Sequence, residues 1–260
     1  MTTEAHLQRT ARIAIDAGIP LVSIAASLEK LRSLAELDEE ARAKRGLIVN
    51  DVGLAPGLMN AMAHDLLAKI DPPRRLELIL RLSAFGDHGR EAVRWTLERA
   101  GEAGGLQSLS IPTPHGGNQG ILVDFVDRED FPSCEHVTSY LQLTPIFAMR
   151  ALPASAGYLR HLVPGFSMAS NATSNLLNLL GLQTDKVMVC VQAKTKEGLG
   201  RSVMKGTGQA RITARVTGET LLRILEGGVY EGVCKMESIL SFPRMRRTLE
   251  NEGCTFSDML

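Results

Sequence analysis

Two rhythms of apolar residues divide the chain. Over the first seventy residues, short runs that are apolar on both faces alternate with segments of helical period. Glu4 to Ala17 reads as a helix stopped by Gly18, and Ile19 to Ile24 (IPLVSI) as a short strand. Ser27 to Arg45 reads as a second helix stopped by Gly46, and Leu47 to Val52 (LIVNDV) as the next strand. Strands of this kind, joined by helices, belong in a parallel sheet covered on both sides. The following helix is the best defined: Met59, Met62, Ala63, Leu66, Leu67 and Ile70 form one continuous stripe. Pro56 suits its first position, where a missing N–H costs nothing, and Pro72 and Pro73 end it.

From Arg74 the period becomes two. RRLELILRLS sets Leu76, Leu78, Leu80 and Leu82 on one face and mostly charged or polar groups on the other, as in a strand with one wet face. Further strands are predicted at Gly120 to Asp127, His136 to Leu143 and Asp185 to Thr195, the last turning through KEGLG into Arg201 to Lys205. Helices are predicted over Arg90 to Ala103, Asn171 to Leu180 and Ala210 to Glu226. The whole pattern predicts an α/β portion followed by an α+β mixed-sheet portion and a short helical tail.

Composition narrows the function classes. Apolar residues make up 44% and charged residues 22% of the 260, as in an ordinary globular protein. The 29 basic and 29 acidic residues cancel and form no basic run, which argues against nucleic acid as a partner. No apolar stretch is long enough to span a bilayer, and the N-terminal residues do not form a signal peptide. Cys134, Cys190, Cys234 and Cys254 lie far apart with no CxxC pair, so neither a zinc site nor a disulfide framework is expected. The expected location is cytoplasmic.

The segment GLIVNDVGLAPGLMNAMAHDLL carries the first candidate site. A strand running into a helix through Gly53, Pro56 and Gly57 points unpaired N–H groups and the helix dipole beyond the strand's carboxyl end, where polar or anionic ligand atoms bind. The same glycines equally serve a tight turn and close packing alone.

The stretch from AGIPLVSI through GLIVNDVGLAPGLMNAMAHDLL resembles the end of the nucleotide-binding half of the saccharopine dehydrogenase-like oxidoreductases. FGDHGREAVRWTLE occupies the place of that family's first substrate-domain loop and helix. DKVMVCVQAKTKEGLGRS, GTGQARITARVTGETLLRILEGGVYEGV and LENEGCTF resemble its final strands, returning helix and tail. The resemblance implies the C-terminal part of a Rossmann-like parallel sheet over residues 1–71. An α+β substrate and dimerisation domain would follow over 72–209, and a helical segment packing back on the first domain over 210–260. It implies hydride exchange between NADP or NAD and an imine or secondary amine carbon of an amino-acid-derived small molecule. The alternating strands from Arg74 onward are expected to form one mixed sheet that mediates a homodimer. Gly53, Pro56 and Gly57 would then lie by the nicotinamide.

The family's fingerprint G-x-G-x-x-G does not occur with the right spacing. GTGQAR, Gly206 to Arg211, has two of the three glycines but follows a polar hairpin arm. The chain is therefore expected to begin inside a Rossmann domain and to bind NAD(P)H weakly or not at all by itself. The turn also departs from the saccharopine-forming members, with Ala55, Met59 and Asn60 where they carry Asp, Asp and His. These departures argue against saccharopine as the substrate, and no catalytic residue is carried over.

Other candidates come from local context. His88 and Arg90, in a glycine-flanked loop opening a helix, suit a substrate carboxylate or a solvent-facing cap. Asn171 opens SNATSNLLNLLG and is a candidate cap or substrate contact. His115 is a loop histidine able to donate a proton near neutrality. His64 lies off the apolar stripe and is expected at the surface; Trp95 is expected in the core, and Arg244 to Arg247 (RMRR) on a solvated face. The competing reading is a non-catalytic binding or assembly module built on the mixed sheet.

Overall fold

The computed structural model describes residues 4–84, 96, 106–109, 113–114, 118–144, 185–228 and 230–260. It is an α/β structure with one parallel and one mixed sheet. Helix α1 (Glu4–Asp16) leads into the two-residue strand β1 (Leu21–Val22). Where one helix is predicted over Ser27 to Arg45, two occur: α2 (Leu28–Ala35), capped by the Ser27 hydroxyl, and α3 (Asp38–Ala43). The break lets Asp38 reach across the fold, where its carboxylate accepts the Val233 N–H at 2.7 Å.

Strand β2 (Leu47–Asn50) follows, then a wide helical turn over Leu54–Leu58, then α4 (Met59–Leu67). Pro56 therefore lies in the turn before α4 and not at the helix's first position, with Ala55 extended ahead of it. The remaining elements among the described residues are β3 (Arg75–Ser83), β4 (Gln107–Ser108), β5 (Gln119–Val123), β6 (His136–Thr144), β7 (Lys186–Lys194) and β8 (Leu199–Thr207), then α5 (Gln209–Leu225), β9 (Gly232–Lys235), α6 (Phe242–Asn251) and β10 (Thr255–Met259).

The small sheet has the order β1-β2-β9 and is parallel throughout. Its last strand comes from the far end of the chain, so β9 brings Lys235 beside Asn50. The large sheet has the order β10-β8-β7-β3-β6-β5-β4; β3 runs parallel to β6 and antiparallel to β7. Residues of 210–260 thus supply a strand to each sheet as well as two helices.

Period-two alternation explains how the layers meet. On β2, Leu47 and Val49 enter the large core while Ile48 enters a smaller one with Ile15, Leu34 and Leu37. Leu76, Leu78, Leu80 and Leu82 of β3 join the large core, as do Met59, Met62, Ala63 and Leu66 of α4. Burying a Met or Leu side chain contributes about 1.5–3 kcal/mol, so the α4 stripe is a main tie between the two sheets. The second face of β3 is not wet. Ile79 packs there with Tyr140, Met188, Cys190 and Val203. The charged residues on that face are paired: the fully buried Glu77 accepts from Gln192, and Arg81 donates to Gln142 and Thr113. Among the described residues, no helix is long and apolar enough to cross a membrane.

Candidate functional site

The carboxyl ends of β2 and β9 carry a group of titratable side chains. Asp51 comes directly after β2 and holds a left-handed backbone, φ 60°, unusual for a residue with a side chain. That conformation turns the chain so that Val52 N–H donates back to Ser23 at 3.1 Å. Lys235 ends β9, and the short turn Met236–Ser238 that follows carries Glu237. Helix α4 presents Asn60 and His64, one helical turn apart and hence on one face. The turn Arg128–Asp130 adds Asp130, and Phe131 stacks on the His64 ring with centroids 4.8 Å apart.

These side chains bind one another. Lys235 Nζ donates to Asp130 Oδ1, and Asn60 Nδ2 approaches the other oxygen of Asp130 at 3.5 Å. His64 Nε2 stands 3.7 Å from Glu237 Oε1. Arg32 donates to Asp127 Oδ2 at the edge of the group, at 3.0 and 3.1 Å. Three acceptor atoms of this group are buried without a hydrogen-bond partner among the described residues: Asp51 Oδ1, Asn60 Oδ1 and Glu237 Oε2.

Burial and crowding of carboxylates set the protonation states. Burial pushes the Asp51 carboxyl up to about 7; Lys235 opposes the shift, while Glu237, Asp130 and Asp127 add to it. Glu237 is raised too, chiefly by burial, against the pull of His64 and Lys235. Burial works against the charge on Lys235, but its bond to Asp130 and the surrounding carboxylates outweigh it and its pKa rises. At neutral pH the group therefore contains a carboxyl able to give or take a proton beside a fixed ammonium, which suits acid–base work on a bound molecule.

Gly53, Pro56 and Gly57 follow Asp51 directly, yet protein atoms fill the space against both glycines. A side chain at Gly53 would meet Thr213 of α5 at 2.9 Å. One at Gly57 would overlap the Asp51 carbonyl and touch Met236, and Pro56 is buried. GTGQAR is also packed, with Cys254 against Gly206 and the Gly208 N–H donating to Asp185. His88, Arg90 and Asn171 lie outside the described residues, as do His115 and Trp95. His64, expected at the surface, is half-buried because it stacks on Phe131. Within RMRR, Arg247 is exposed and Met245 buried, while Arg244 binds Glu219 and Glu226 and Arg246 binds Glu250 and Asp258.

Asp51, Asp130, Lys235 and Glu237 escape the sequence reading. Asp51 leaves one signal there, a carboxylate next to the last residue of an apolar strand; the others have none, because β9 is short and its pairing with β2 is non-local. Among the described residues no group of three or more His, Cys, Asp or Glu side chains is arranged to hold a metal ion. Fold and site together define an α/β protein with an acid–base cluster at the carboxyl ends of parallel strands. No protein-family model matches the chain, and no curated protein matches it.

Proposed function

We propose that the chain belongs to an oxidoreductase of the saccharopine dehydrogenase-like kind, exchanging hydride at an imine or secondary amine carbon of an amino-acid-derived substrate. In this reading the protein is cytoplasmic and homodimeric. The observation that carries it is Asp51: a buried carboxyl titrating near neutrality, at the carboxyl end of a parallel strand, beside Lys235. Protonation of an imine nitrogen, or removal of the amine proton, needs a group of that strength. Asp51 is the residue assigned to that proton, with Lys235 and Asp130 holding the site's charge and Phe131 and His64 bounding it.

NADP or NAD is the hydride carrier this reading implies, and it would supply the reducing equivalent. The packing at Gly53 and Gly57 does not fit a dinucleotide there, since Thr213, Met236 and the Asp51 carbonyl already fill the space glycine leaves. The reading therefore assigns the cluster to the amino-acid-derived substrate alone. The same packing favours a second reading, a non-catalytic binding module built on the family's substrate domain.

Consumption of NADPH or NADH, followed by absorbance with imines formed from amino acids and small carbonyl compounds, separates the two. The oxidoreductase reading expects turnover that Asp51→Asn lowers by about a hundredfold, the lower range for loss of a general acid–base group. Binding of the same amino acids with no turnover by the full chain overturns it in favour of the module.

A further inference from the structure

The unpartnered acceptors around Asp51 define the chemistry of what binds there. Asp51 is 3% exposed and Asn60 fully buried. Among the described residues Asp51 Oδ1, Asn60 Oδ1 and Glu237 Oε2 have no hydrogen-bond partner. Leaving such groups unpaired in the interior is costly. With both carboxyls ionised all three are acceptors, so what completes them in that state is a donor. Charge points the same way once Asp51 and Glu237 ionise: with Asp130 they then bring three carboxylates to one ammonium, that of Lys235, which Asp130 already engages.

A single water offers two hydrogens and no charge, so it cannot complete three acceptors. An ammonium of the form R–NH3+ offers three hydrogens and the missing positive charge. His64 and Lys235 are each about two-fifths exposed on their side chains, whereas Phe131 beneath His64 is buried. We propose that a primary ammonium group of a small molecule enters between His64 and Lys235 and donates to Asp51 Oδ1, Asn60 Oδ1 and Glu237 Oε2. This assignment rests on the reading of the cluster as a ligand site and is independent of any hydride transfer.

The probe is methylammonium chloride, against tetramethylammonium chloride at equal ionic strength, which carries the charge without an N–H. The readout is the NMR signal of the Met236 methyl group, next to Glu237. Methylammonium is expected to shift it saturably and tetramethylammonium not to. Asp51→Asn and Glu237→Gln, close in shape to the native residues, should each weaken the methylammonium midpoint about tenfold, because the amide oxygen still accepts but without the carboxylate's charge. Asn60→Leu removes the third acceptor; should it fail to fold, the other two variants still decide the matter. Equal response to both salts, a response that never saturates, or an unchanged midpoint in Asp51→Asn and Glu237→Gln overturns the assignment. Saturable methylammonium binding without NAD(P)H turnover sinks the oxidoreductase reading and leaves this one standing; turnover without methylammonium binding does the reverse.

Discussion

The backbone carbonyl of Asp51 occupies the space that a side chain at Gly57 would need. The contact closes the wide turn on itself and fixes where Asp51 stands, because both residues belong to the loop that joins β2 to α4. A methyl group at position 57 would overlap a backbone atom that cannot rotate away, and Met236 blocks the other direction. Gly57→Ala should therefore destabilise the fold by about 3 kcal/mol, at the upper end for overpacking. Urea unfolding checks this; a loss below about 1 kcal/mol would show that the turn opens easily.

Stability should fall as pH rises through the neutral range, and Asp51 should be a main cause. Its carboxyl ionises from an ordinary 3.8 when exposed and near 7 when buried in the fold. Between those values the folded chain holds a proton that the unfolded chain has released, so raising the pH favours unfolding across that window. The loss is complete above pH 7 and amounts at most to about 4 kcal/mol. Glu237 is shifted in the same direction and adds to the slope. Asp51→Asn should flatten the decline in unfolding free energy between about pH 5 and pH 8 and exceed the native protein at the upper end. Parallel profiles for the two proteins would count against the buried, unpaired state of Asp51.

A charged residue on the supposedly wet face of β3 gives a third test. Glu77 and Gln192 are both fully buried, with Gln192 Nε2 donating to Glu77 Oε2 at 3.0 Å across the β3–β7 pair. Gln192→Leu keeps the bulk but removes a donor from a buried carboxylate. The expected cost is about 2–3 kcal/mol. Adding Glu77→Gln should return part of that loss, because the second change replaces the carboxyl whose donor the first removed. Additive losses in the double variant would show that the pair is not coupled.

The same strand shows what the sequence can and cannot disclose. Leu76 to Leu82 reveals its inward face through spacing alone, and α4 does so through the stripe from Met59 to Ile70, because those signals are local. Glu77 and Arg81 look like solvent-facing residues for the same reason: their partners Gln192 and Gln142 lie far along the chain and join them only through sheet register. The candidate site is hidden in this way too. Gly53 and Gly57 mark the bend plainly, but a glycine's bare face does not say whether a ligand or Thr213 fills it. Asp51 and Lys235 meet only because β9 returns beside β2, a pairing no local pattern encodes.

The acid side of the stability profile should be governed by different carboxylates, of which Asp258 gives the clearest readout. It sits on the edge strand β10, where it accepts from Ser202 Oγ at 2.6 Å and from Arg246 at 2.8 Å. Partial burial works to raise its pKa, but those two hydrogen bonds and the Arg246 charge prevail and hold it below the ordinary carboxylate value. A depressed carboxyl stabilises the fold above its ordinary pKa, and that stabilisation is lost as pH falls through the lower, folded value. Arg246 also lies over the Phe256 ring, 5.1 Å from its centroid, so releasing Asp258 loosens the guanidinium from both contacts. Protonation should therefore free β10 from β8 before the central strands open. Asp258→Asn should reproduce that release at neutral pH. Hydrogen exchange is expected to show Thr255–Met259 and the facing residues Arg201–Lys205 losing protection several-fold, with β3 and β7 unchanged. Uniform loss of protection across the whole large sheet would mean that β10 is part of its cooperative core instead of a separable edge.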